Sequence, residues 1–242
     1  MRKTEVFFNP FRLISPKLDA EASRLEELYE SPPEDVTCLE EGLLIMVGKL
    51  IEMAGLLRKT LLIPDPAKLD KCRSLAREIH GEEKGLTGDL VCRPTETTGE
   101  LLRTVVLFPG KLERVGDLME SILNVCTVKG RDGLAFSDKA NAELDELFGV
   151  LKSLLTNFRD ALLTNNIALL TTIVEQEKRI KNMVVDFGLA HETRLIQGLC
   201  MPKVSSLFLD LLDSVHGAAH HVREMAESLL EIDGSHRGAA AS

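Results

Sequence analysis

The residues best placed to do chemistry are acidic and lie on helical spacings. Glu113 and Asp117 stand four apart, which on a helix puts both carboxylates on one face. Leu112, Val115, Met119 and Ile122 around them are apolar, so the pair borders a buried stripe. Two close carboxylates repel unless a proton or a cation lies between them, and a hard metal ion is the simplest remedy. A second group, Asp213, His216 and His220, shares one face at i, i+3 and i+7. His216 and His220 are a pair at i, i+4, a spacing that suits a metal ion. Gly217, Ala218 and Ala219 between them let another helix approach closely. Glu83 and Glu177 are isolated acids of the kind most helical surfaces carry.

Several chemistries have no counterpart here. The chain lacks a phosphate-cradling G-x-x-x-x-G-K-[ST], a helix-opening G-x-G-x-x-G and a G-x-S-x-G elbow. Carboxylate-bridged di-iron bundles need Glu-x-x-His pairs, and the nearest match is Asp213-x-x-His216. Net charge is −9 and no basic patch stands out, which speaks against a nucleic-acid phosphate backbone as partner. Five cysteines without a C-x-x-C fit small buried thiols in a reducing compartment, so a cytoplasmic protein is expected. The chain shows no membrane-spanning run and no signal peptide, so a membrane is reached only through a partner.

The elements that must position these residues are helices. Aromatics are only 4% of the 242 residues, so the core is aliphatic. Apolar residues recur at helical spacing and strand alternation is nearly absent, which predicts an all-α protein. Residues 1–35 read as an irregular arm and a short helix over 19–30, stopped by Pro32-Pro33. Six longer helices follow. The first spans about 36–62, and Pro64-Asp65-Pro66 breaks it, with Asp65 as cap for a second helix from 66 into the 80s. Thr97-x-x-Glu100 reads as the capping box of a third helix, which Pro109-Gly110 should kink or interrupt. The fourth covers about 138–164, Asn165-Asn166 marks a tight turn, and the fifth runs about 167–190. Pro202 opens the sixth, and the Gly, Ala and Ser of 233–242 read as a disordered tail.

Shifted by 100 residues, the sequence partly matches itself. Leu44, Val47 and Ile51 fall on Leu144, Leu147 and Leu151. Leu107-Phe108 falls on Leu207-Phe208, and Leu112 to Asp117 falls on Leu212 to Gly217. A period this long points to duplication of a three-helix unit, with repeats over 36–133 and 134–232.

Leu112-Glu113-Arg114-Val115-Gly116-Asp117-Leu118-Met119-Glu120-Ser121-Ile122 resembles the signature of PhoU-type proteins, roughly L-E-R-I-G-D-x-x-x-N-I. Glu177-Lys178-Arg179-Ile180, with His191-Glu192-Thr193-Arg194-Leu195 and Gly198-Leu199-Cys200, is similar to the second repeat of the PhoU-like domain attached to bacterial sodium/phosphate cotransporters. The likeness covers about residues 36–232. It implies two tandem three-helix bundles and a regulator of phosphate uptake that docks to a phosphate transporter or an associated signalling kinase. It also implies iron, or another divalent or trivalent metal such as zinc, nickel or magnesium, on Glu/Asp-x-x-x-Asp motifs. Glu113 and Asp117 match such a motif fully. Asp213 matches the first acid of the second copy, while Gly217 replaces the second, with His216 as a nearby substitute. Glu83 and Glu177 fall as first acids on the partner helices, followed by Thr87 and Lys181 where second acids would stand. By analogy with other small bundle regulators a homodimer is expected. The alternatives are a carboxylate-bridged metalloenzyme inside one bundle and a metal-free helical adaptor.

Overall fold

The computed structural model describes residues 34–91 and 104–240, and among these every regular element is helical, as expected. The arm over 1–30 and the Thr97–Glu100 box lie outside the described residues. Six long helices follow in chain order: α1 Glu34–Leu62, α2 Pro66–Val91, α3 Phe108–Arg131, α4 Asp138–Thr164, α5 Ile167–Ile196 and α6 Pro202–Ala240. None is long and apolar enough to cross a membrane.

Local chemistry sets most of these ends. Asp65 caps α2, its Oδ1 accepting from the backbone N–H of Ala67 at 3.1 Å and of Lys68 at 3.2 Å. Asn165 ends α4 in the left-handed region, at φ 49°, and Asn166 then caps α5 by accepting from Ala168 N at 2.9 Å. Lys129 reaches from α3 to the end of α1, where its Nζ donates to the Leu61 carbonyl at 2.8 Å.

One end follows the expectation and two differ. The helix is interrupted beside Pro109: helical residues 104–105 end in a turn at 106–107, and the proline sits in the first turn of α3. There its missing N–H has no acceptor to lose. α5 runs on to Ile196, because buried His191 and Arg194 extend its inward face with polar residues that a hydropathy pattern misses. α6 continues to Ala240, across positions 233–240 where composition suggests a tail. Buried Ile232 carries the packed face up to that point.

Inside the unit formed by residues 39–242, α3 packs along α6. α2 lies against α3, and α5 against α6. α4 packs on both α5 and α6. Lys49 links α1 to Glu82 of α2 at 3.0 Å, and Arg58 links α1 to Asp145 of α4 through two hydrogen bonds of 2.6 and 2.7 Å. One continuous aliphatic core runs through all six helices.

The buried positions recur in a register that corrects the sequence shift. In α1 and α4 the fully buried Leu43, Met46, Val47, Leu50, Met53 and Leu57 each have a buried counterpart 101 residues later. The same offset relates Leu69, Cys72 and Ile79 of α2 to Leu170, Ile173 and Ile180 of α5. In α3 and α6 the offset is 100, pairing Phe108, Leu112, Val115 and Ile122 with Phe208, Leu212, Val215 and Val222. At an offset of 100, Leu44 and Ile51 would be core residues, yet both are only half-buried. One residue of slip rotates a helical position by about 100°, enough to turn an inward side chain sideways.

Candidate functional site

The α2–α3 pair places the first acidic motif. Gly116 is buried at the crossing, and a Cβ there would come within 3.3 Å of Ile79 Cγ2. The missing side chain therefore lets the two helices close up. Beside this contact opens a cleft of 460 Å³ lined by Arg77, His80, Glu113, Gly116, Asp117 and Glu120. His80 Nδ1–H donates to Glu113 Oε1 at 2.6 Å, tying α2 to α3. Asp117 and Glu120 are exposed on the same α3 face, one and two turns beyond Glu113.

The structure thus brings Glu113 and Asp117 to one cleft, and adds His80 and Glu120. Glu120 is legible in sequence, since it stands at i+3 from Asp117 and i+7 from Glu113. His80 is not, because only the pairing of α2 with α3 carries it to Glu113. Glu83 belongs elsewhere: its carboxylate accepts from Thr87 Oγ1 at 2.8 Å, one turn along its own helix. In the register of buried positions, Ala76 rather than Glu83 corresponds to Glu177.

The α5–α6 pair places the second group. Glu177 is buried, at 5% exposure. His216 Nε2 lies 3.6 Å from its Oε1, and Arg223 Nε lies 3.6 Å from its Oε2. Arg223 is the residue that sequence reasoning missed, although it falls at i+3 from His220 and i+7 from His216. Arg223 also binds Glu227 Oε1 at 3.0 Å and His220 Nδ1 at 3.2 Å. Asp213 is exposed and has no charge partner among the described residues. Gly217 stands against Leu118, and a Cβ there would fall 3.1 Å from Leu118 Cδ1. Close packing of α6 on α3 thus fills the place of a second acid.

Among the described residues, no three His, Cys, Asp or Glu side chains converge as a ready-made metal group. The first cleft, with its carboxylate and imidazole donors on an open rim, suits a hydrated cation that keeps much of its water shell. The second group already contains a guanidinium. Neither forms the enclosed four-helix carboxylate centre that a bundle metalloenzyme uses.

A helical protein with two antiparallel pairs, α2–α3 and α5–α6, back to back and acids along their exposed edges defines a bundle scaffold with charged surface clefts. No protein-family model matches the chain, and no curated protein matches it. Among solved structures, the crystal structure of PhoU from Pseudomonas aeruginosa superimposes with a TM-score of 0.76 at 14% identity, covering 84% of this chain and 98% of that one. The phosphate transport system regulatory protein PhoU from Streptococcus pneumoniae gives 0.71 at 14% identity, over 83% and 97%. The chain therefore has a PhoU-like fold.

Proposed function

We propose that this protein regulates phosphate transport by docking to a phosphate transporter or to an associated signalling kinase in the cytoplasm, and that it does not catalyse a reaction. The observation that carries this reading is the match to two PhoU proteins over nearly their whole lengths. The α2–α3 cleft agrees with docking, since it offers open, charged surface. The test is a pull-down with the full chain from the native host, grown at high and at low phosphate. Capture of a phosphate transporter or its kinase, changing with phosphate supply, is expected. A bait that captures neither under either condition overturns the reading.

Three finer parts belong to the proposal. The chain is a tandem duplication of a three-helix unit, supported by buried positions that recur at offsets of 101 and 100. It acts as a homodimer, which sedimentation of the purified chain tests directly. Glu113 and Asp117 hold a cation, iron or another divalent or trivalent metal, with His80 beside them, and this cation sets the charge of the docking face. Metal analysis of protein purified without chelators checks this. Wild type should carry metal that Glu113→Ala and Asp117→Ala lose, and equal near-zero content in all three removes the metal from the proposal.

A further inference from the structure

Glu177 poses an electrostatic problem. The residue is 95% withdrawn from solvent on α5, and burying an unpaired charge is costly. No hydrogen bond reaches it among the described residues, so ionic neighbours must compensate the charge. His216, at 3.6 Å, is charged only when protonated, whereas the Arg223 guanidinium, also at 3.6 Å, is charged at every accessible pH.

Arg223 is held in place for this. One Nη donates to Glu227, the other to His220 Nδ1, and the stem lies half-buried on α6. Its Nε is buried with no hydrogen-bond partner, on the side where Glu177 stands. The other half of the molecule offers an internal comparison. At the corresponding offsets, Ala76 takes the place of Glu177 and Leu123 that of Arg223, and both are buried. One half thus has two apolar residues where the other has an acid and a guanidinium. The ion pair stands whether or not the halves are duplicates, and it is independent of the docking partner.

We propose that Arg223 is the permanent counter-cation of Glu177, a tethered guanidinium standing where a metal ion would otherwise have to neutralise the buried carboxylate. The α5–α6 side is therefore metal-independent. Glu177 and His216 form a latent site for a first-row divalent cation such as zinc, closed by the positive charge of Arg223. Like charges at such separations in a partly buried setting repel enough to lower a cation's affinity by roughly a hundredfold.

Zinc titration of the full-length chain tests this. Wild type and Glu177→Gln should take up zinc identically, because Glu177 is already neutralised. Arg223→Ala should lose thermal stability without metal, gain roughly a hundredfold in zinc affinity, and be stabilised by zinc. Glu177→Gln in the Arg223→Ala background should remove the zinc gain and restore stability, since no buried charge is left. If Arg223→Ala does not fold alone, Arg223→Gln, which keeps length without charge, is read in the same way. Zinc uptake by wild type that falls in Glu177→Gln overturns the proposal. So does a zinc response of the Arg223 variants equal to that of wild type, or failure of both variants to fold in zinc.

Discussion

Arg194 of α5 grips Glu143 of α4 through two parallel hydrogen bonds, each 2.7 Å, and both side chains are buried. Glu143 raises the guanidinium's proton affinity further above its ordinary value. Such a fork fixes the angle and register of two helices as apolar contacts alone do not. The expected outcome follows from the desolvation already incurred: Glu143→Leu or Arg194→Met alone costs about 3–5 kcal/mol, because each strands a buried charge. The double replacement recovers most of that loss. Chemical denaturation of the four proteins measures the coupling, and additive losses would place the pair outside the core.

His191 lies one turn before Arg194, 4% exposed and stacked on Phe208 at 4.6 Å between centroids. Burial, and then the positive charge of Arg194, lower its pKa below the ordinary 6.5. In the unfolded chain the ring takes a proton near 6.5, while in the fold it resists until lower pH. Stability should therefore fall as pH drops through 6.5 toward the folded value. Thermal melts across this range should show a smaller drop for His191→Gln than for wild type.

Cys72 and Cys126 are buried thiols whose pKa values burial pushes up to about 11 and about 12. The folded state holds these protons more tightly than the unfolded state, so stability should decline as pH rises above 9. At pH 8 both should resist a thiol reagent until denaturant is added, with mass mapping as the readout. Labelling of either in the native protein at the unfolded rate would contradict their placement.

Gly116 sets how closely α2 approaches α3. Gly116→Ala trades a helix-propensity gain of about 1 kcal/mol against mild crowding of Ile79, so its net effect should be small. Gly116→Ile should destabilise by about 1–3 kcal/mol through overpacking. It should also prise His80 from Glu113, which an NMR shift of the His80 ring would report.

Much of the architecture was legible in one dimension because helices are held by contacts three and four residues apart. The stripe from Leu39 to Leu57, the break at Pro64-Asp65-Pro66 and the turn at Asn165-Asn166 are local facts, and each appears where the sequence places it. So is the shared face of Glu113 and Asp117. What lay beyond the sequence depends on how helices slide and rotate against each other. The 101-residue register of buried positions in α2 and α5 makes Ala76 the counterpart of Glu177, and Glu83 bonds Thr87 on its own helix. Only packing brings His80 to Glu113, Arg223 to Glu177 and Arg194 to Glu143. Long polar side chains reach across interfaces by geometry that no spacing rule within one helix encodes, because the partner's position is set by the core on the far side.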